Sequence, residues 1–299
     1  MALGSVKTMK MKNGVFESIP NFGTLDSEFV SNLLVQETPI HTSVFWCLPM
    51  NMTVDEARNS SVKMAIEREC EYVFFRDYDV ICPPNALPIL MSRNVDIIGG
   101  LYFSKSKPPW PLLFVDNKPS LEWSIGDVVK CDAIGMGCTL IKTEVFKKME
   151  PPWFVTGGES SVEDAHLLAS YIFTEDVHFC NRMKKELGIS PYIDTSLNCA
   201  HKDLKTGQKY FFHEKEGSPA WTEKDGSVRC VLPVGHPKLA FVDLTVKESG
   251  SSVEEDSDHG PDPVVPGDPE PGDNHDHDAG GLADCHGQQG DEARDGDNG

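Results

Sequence analysis

The stretch Glu71-Tyr72-Val73-Phe74-Phe75-Arg76-Asp77-Tyr78-Asp79-Val80 constrains the fold more than any other part of the chain. Residues 72–75 read as a short buried strand that runs straight into two carboxylates two positions apart. Side chains alternate along an extended backbone, so Asp77 and Asp79 would point the same way and converge on one ligand. Two converging anions repel unless a cation sits between them, one of them is protonated, or both are solvated. A hard divalent ion held by one or two carboxylates and by nucleotide phosphates resolves that conflict. A polar turn after a strand is the other reading of the same residues.

The segments around this stretch repeat one grammar. Residues 14–19 read as a strand that stops at Pro20-Asn21-Phe22-Gly23, a turn signal. From Thr24 the apolar positions Leu25, Phe29, Val30, Leu33 and Leu34 share a helical face, which predicts a helix to about residue 36. A second strand over 42–48 ends at Pro49, and Thr53-Val54-Asp55-Glu56 is a capping box that opens a helix with Val54, Ala57, Val62, Ala65 and Ile66 inward. Strands alternating with helices predict a mostly parallel sheet, whose ligands bind beyond the carboxyl ends of the strands. Further on, the pattern predicts a short helix to residue 91, strands over 95–103, 128–133 and 138–141, and a helix over 143–149. The Pro-rich span 107–113 reads as a surface loop or edge strand. A helix begins at Thr174-Glu175-Asp176-Val177, with Val177, Cys180, Met183 and Leu187 inward and Gly188 as its stop. Residues 191–194 read as a last strand. The span 155–173 has weak periodicity and reads as a loop.

Composition divides the chain in two. Residues 248–299 carry 16 acidic side chains and one basic one, which leaves 31 acidic and 26 basic residues in the rest. With almost no large apolar side chains, this tail cannot offset its ordering entropy and is expected to be disordered. Its His275-Asp276-His277 reads either as an adventitious metal site or as solvated tail. Residues 1–12 read as a flexible leader, and 13–247 as one folded domain. Without clustered Lys and Arg, nucleic acid is not an expected partner. Nine scattered cysteines with no Cys-x-x-Cys pair suit free buried thiols of a reducing compartment. No apolar run approaches the ~20 residues of a membrane span and the first residues lack a signal-peptide core, so the expected location is cytoplasmic.

Ala57-Arg58-Asn59, the strand into Asp77-Tyr78-Asp79, Gly135-Met136-Gly137-Cys138-Thr139-Leu140-Ile141, Pro152-Trp153-Phe154, Glu175-Asp176-Val177-His178-Phe179-Cys180 and His201 follow one another in a recognisable order. Over residues 13–201 the chain thereby resembles the GT-A-type glycosyltransferases, in particular the family 2-like members. The resemblance implies a GT-A-like, Rossmann-related α/β fold, a mostly parallel sheet flanked by helices. It implies a metal-dependent, hexosyltransferase-like enzyme that moves a sugar from a nucleotide-sugar donor, a UDP-sugar for preference, to an acceptor hydroxyl, with inversion as the expected outcome and retention as the alternative.

By the same resemblance Asp79 binds Mn²⁺ or Mg²⁺, Asp77 contacts the ribose or the metal's waters, and His201 is a later metal ligand that tilts the choice toward Mn²⁺. Asp176, with Glu175 beside it, matches the general base of inverting members. In the first turn of a helix both carboxylates also suit the helix dipole. Arg58 either steadies a phosphate or pairs with a carboxylate. Asn21 and Asn51 stand where the family places nucleotide contacts and are also ordinary turn residues. Trp153 reads as a sugar platform or as core, and Gly135 with Gly137 as a close approach to the donor or a tight turn. The acceptor, whether glycan, protein or small molecule, is not specified, because nothing after His201 matches the family. Two other classes remain: a GT-A-like nucleotide-binding or interaction protein without catalysis, and a nucleotidyltransferase, which would want a basic Gly-rich loop in place of Pro20-Asn21-Phe22-Gly23.

Overall fold

The computed structural model describes residues 14–116, 118–156 and 174–231. The leader, most of the span 155–173, residues 232–247 and the acidic tail lie outside the described residues.

The two strand-helix units form as the sequence predicts. β1 (Gly14–Ser18) leads to α1 (Ser27–Leu34), and β2 (Ser43–Cys47) leads to α2 (Val54–Glu67), followed by β3 (Tyr72–Arg76). α1 starts later than Thr24 because Asp26 is the residue whose side chain accepts from the free amide of Glu28, at 3.0 Å. The capping box of α2 is present, with Glu56 accepting from the Thr53 amide at 3.1 Å. Its inward face is less apolar than periodicity suggests: Arg58 and Ser61 are buried beside Ala57, Val62 and Ala65.

The remaining elements are β4 (Val80–Ile81), α3 (Ala86–Ser92), β5 (Ile97–Leu101), β6 (Leu113–Val115), β7 (Lys118–Pro119), β8 (Val128–Lys130), β9 (Ala133–Ile134) and β10 (Cys138–Lys142). They continue with α4 (Thr143–Lys147), α5 (Glu175–Leu187) and β11 (Tyr192–Asn198). Gly188 ends α5 in the left-handed conformation at φ 69°, which a glycine adopts without strain. Residues 191–194 are not the last strand: β12 (Ala200–Lys202), β13 (Lys209–His213), β14 (Ser218–Thr222) and β15 (Val228–Cys230) follow.

The central sheet has seven strands in the order β2-β1-β3-β10-β5-β11-β8. β2, β1, β3, β5 and β11 run one way, while β10 and β8 run against them. The fold is therefore α/β with a mostly parallel sheet, and the antiparallel β10 is wedged into its middle. Alternation sorts the side chains into two layers. Phe16, Val73, Phe75, Ile97 and Ile141 pack with Val62 and Ala65 of α2, Phe146 of α4 and Phe179 of α5. Val15, Tyr72, Phe74, Ile98 and Leu140 pack with Leu87 and Leu90 of α3. Arg76 closes β3 fully buried, bonded to Glu17 at 3.3 Å, to Asn32 at 2.7 Å and to Gln36. Its guanidinium also lies over the Phe29 ring, which ties α1 to the sheet.

A second sheet, β15-β14-β13-β12-β4, is antiparallel throughout. It joins the residues just after Asp79 to the part of the chain beyond His201. Described residues contain no helix long and apolar enough to cross a membrane.

Candidate functional site

Asp77 and Asp79 lie at the carboxyl end of β3, but not on extended backbone. The Val80 amide donates to the Asp77 carbonyl at 3.0 Å, which folds residues 77–80 into a turn, and the Asp77 amide donates to the Gly137 carbonyl at 3.0 Å. The carboxylates are close enough for the Asp79 charge to raise the Asp77 carboxyl. A turn, not strand alternation, brings them together.

Each carboxylate has its own cation. Arg58, 2% exposed, bonds Asp77 at 2.9 Å through one nitrogen and Glu175 through the other, with its guanidinium near the rings of Phe75 and Phe154. Of the two alternatives open for Arg58, carboxylate pairing is the one observed. Asp79 bonds Lys105 through one oxygen, and the other oxygen lies 3.5 Å from His201 Nε2. Asp77 keeps 27% of its side chain open and Asp79 17%, so each still presents an edge to a ligand.

His201 reaches this place through the second sheet. In the β12–β4 pair it stands opposite Val80, and the Lys202 amide donates to the Asp79 carbonyl at 2.7 Å. Its Nδ1 lies 2.7 Å from the Phe103 carbonyl, which can only accept, so Nδ1 carries a proton and the ring is held with Nε2 turned toward Asp79. Tyr102 packs edge-on against the imidazole at 5.4 Å.

The two aspartates are driven apart electrostatically. Burial pushes the Asp77 carboxyl up, against the pull of Arg58. Burial would also raise Asp79, but the His201 hydrogen bond, the His201 charge and Lys105 together hold it below the ordinary range. Glu175 is pushed up by burial despite Arg58, and by the neighbouring Asp176 charge. Tyr102 is pushed far up by burial and by the charges of Asp77 and Asp176, so the phenol keeps its proton.

Asp176 occupies the first turn of α5, half buried, with one oxygen accepting from the Val177 amide at 2.8 Å. Its charge is felt by both Arg58 and Tyr102, so it belongs to the same electrostatic cluster. Asn21 and Asn51 lie at the carboxyl ends of β1 and β2, bridged through Asn21 and Met50. The Asn21 side chain is committed to backbone, donating to the Ile19 carbonyl at 3.1 Å and to the Pro49 carbonyl at 3.4 Å and accepting from the Gly23 amide at 2.9 Å. Asn51 is exposed at φ 57°, a turn conformation that asparagine tolerates.

Gly135 and Gly137 make room for a protein side chain. A Cβ on Gly135 would lie 2.1 Å from Tyr102 Oη, and one on Gly137 2.8 Å from Val80 Cγ2. The Tyr102 hydroxyl accepts from the Gly137 amide at 2.9 Å. Gly135→Ala should therefore cost about 1–3 kcal/mol through overpacking, read as a lower urea midpoint at unchanged slope; an unchanged midpoint would mean that Tyr102 is not wedged there. Trp153 is core: it is 8% exposed and donates from Nε1 to the Phe146 carbonyl at 2.9 Å. Lys105 and Tyr102 escaped the sequence reading, because a lysine in a Pro-rich loop and a tyrosine ending a strand carry no local signal of a site 26 and 99 positions away.

No family model matches the chain, and no curated protein matches it. Among solved structures it is similar to A197 from STIV, at 17% identity over 76% of this chain and all of that one, with a TM-score of 0.48. It is also similar to S. aureus TarS 1-349, at 13% identity over 62% of this chain and 60% of that one, TM-score 0.35. The complex of that protein with UDP-GlcNAc gives 14% identity over 62% and 58%, TM-score 0.33. All three likenesses are distant.

Proposed function

We propose that the chain is a divalent-metal-dependent glycosyltransferase that moves a sugar from a nucleotide-sugar donor, a UDP-sugar for preference, to an acceptor hydroxyl. The observation that carries this reading is the meeting of Asp79 with Nε2 of His201 at the carboxyl end of β3, with the imidazole fixed from behind by the Phe103 carbonyl. A histidine oriented by a backbone carbonyl through its other nitrogen is the usual arrangement of a metal-binding imidazole. Two ligand atoms each about 2.1 Å from one ion stand about 3 Å apart, so the 3.5 Å separation needs only a small closure. A carboxylate with an imidazole suits Mn²⁺ better than Mg²⁺.

Asp79 and His201 would hold the ion, and Asp77 would meet the ribose or the ion's waters. When bound, the ion supplies charge neutralisation at the diphosphate as the bond to the sugar breaks. Arg58 fixes the Asp77 carboxylate, and Glu175 fixes Arg58 in turn, so Glu175 serves position and Asp176 is left as the carboxylate able to take the acceptor proton. Asn21 would shape the loop over the nucleotide through its backbone contacts, with Asn51 presented outward beside it.

Calorimetric titration of UDP and GDP, with Mn²⁺ and with EDTA, tests the donor site. Heat of binding for one nucleotide that vanishes in EDTA is the expected result. Binding that ignores the metal would replace this reading by that of a nucleotide-binding protein without metal chemistry, and no binding with metal present would remove the donor site.

A further inference from the structure

Three cysteines converge directly behind the candidate site. Cys82 follows β4, Cys138 opens β10, and Cys199 links β11 to β12. Their sulfurs all lie within 4.8 Å of one another, and the residues are 5%, 0% and 0% exposed. They form the one such group of potential metal ligands among the described residues, and none of the three is in a disulfide.

Several observations separate this cluster from ordinary thiols packed as small apolar groups. The sulfurs come from three separate segments and meet where β5 carries Gly100; a Cβ there would lie 3.0 Å from Cys199 Sγ and 3.2 Å from Cys138 Sγ. Their contacts to carbonyls are long, 3.9 Å from Cys82 to Val80 and 3.7 Å from Cys199 to Leu197, and the three thiols otherwise bond one another. The fully buried guanidinium of Arg76 lies beside Cys82 and Cys138, and its Nε has no hydrogen-bond partner. A cation with an open donor beside two of the three sulfurs fits a cluster that carries negative charge.

We propose that Cys82, Cys138 and Cys199 bind one thiophilic d¹⁰ cation, Zn²⁺ or Cu⁺, as a structural centre separate from the carboxylate-imidazole site. Metal–sulfur bonds of about 2.3 Å put three sulfurs about 3.8–4.0 Å apart around an ion, inside the 4.8 Å within which these sulfurs lie. Soft thiolate sets select zinc and Cu⁺ over Mn²⁺ and Mg²⁺. On binding, each thiol gives up its proton to solvent. Three thiolates with Zn²⁺ leave one negative charge beside Arg76, which also bonds Glu17, whereas three donors without a fourth suit the lower coordination number of Cu⁺. The ion clamps β4, β10 and β12 together, three residues after Asp79 and two before His201, and so fixes the spacing of the outer site.

The test uses the full-length chain, expressed with zinc and copper supplied, purified anaerobically under reductant and washed with EDTA. Elemental analysis should find about one ion per chain, and its identity decides between zinc and copper. X-ray absorption should show a sulfur shell at about 2.3 Å. The double variant Cys138→Ser, Cys199→Ser should lose the ion, while Asp79→Ala and His201→Ala keep it. A protein without stoichiometric metal, an ion bound by oxygen and nitrogen alone, or undiminished metal in the double variant would each overturn the proposal. The absorption spectrum of the wild type decides the matter even if the double variant fails to fold.

Discussion

Arg58→Met should destabilise the fold by about 3–5 kcal/mol near neutral pH, because it leaves the buried Glu175 and the part-buried Asp77 without their cation. Asp77 and Glu175 both bond this guanidinium, and Glu175 and Arg58 are almost wholly out of water. Methionine keeps most of the volume between Phe75 and Phe154, so the loss is electrostatic and not a cavity. With a typical domain stable by only 5–15 kcal/mol, that is a large share of the total.

The pH dependence identifies the cause. Asp77 and Glu175 ordinarily titrate at 3.8 and 4.5, and burial raises both in the folded state against the pull of Arg58. Removing Arg58 removes that pull and raises them further. Between the ordinary values and the raised ones the folded state holds more protons than the unfolded state, so stability falls as pH rises through that window. The deficit of the variant should be small near the lower edge of the window, grow toward neutrality and then level off. Urea unfolding of wild type and variant at neutral pH and about two pH units lower reads this directly. A deficit that is the same at both pH values would mean that lost packing, not stranded charge, is responsible.

The same ion pair shows where the sequence stopped being legible. The units from β1 to β3 could be read because each boundary carries a local signal: Pro20-Asn21, Pro49, and the Thr53–Glu56 box that the structure contains. Gly188 closing α5 is of the same kind. That Arg58 meets a carboxylate 117 positions away depends on how α2 and α5 pack, which no local pattern encodes. β10 was readable as a strand, but its place between β3 and β5 was not, since neighbour and direction follow from register across the sheet.

The second sheet was the larger omission, and it is the one that matters for the site. β4 has two residues and β12 three, too few for alternation to register. Yet their pairing places His201 opposite Val80 and so beside Asp79. The segment after His201, which resembles nothing recognised in the sequence, has a structural part to play: β13, β14 and β15 cover the far side of β12 and hold it against β4. Asp77 and Asp79 lie within electrostatic reach of each other, and the geometry that joins them is a turn and not strand alternation.

Lys105 gives the metal reading a test with two opposite signs. It bonds the Asp79 oxygen turned away from His201, so one carboxylate is shared between a lysine and the place an ion would take. Asp79→Ala removes a direct ligand, and since loss of a group that merely orients a ligand costs 10–100-fold in metal affinity, this change should weaken Mn²⁺ by about 100-fold or more. Lys105→Ala removes a positive charge that competes for the same carboxylate. At the surface, with a third of the lysine side chain exposed, its repulsion of a dication is worth about 1 kcal/mol, roughly a fivefold tightening. Titration of Mn²⁺ into the three proteins in the presence of nucleotide measures both effects. A conventional structural salt bridge would give the other pattern, in which both variants lose stability and neither changes the affinity for Mn²⁺; that result would leave Asp79 as Lys105's partner and take the ion out of the site.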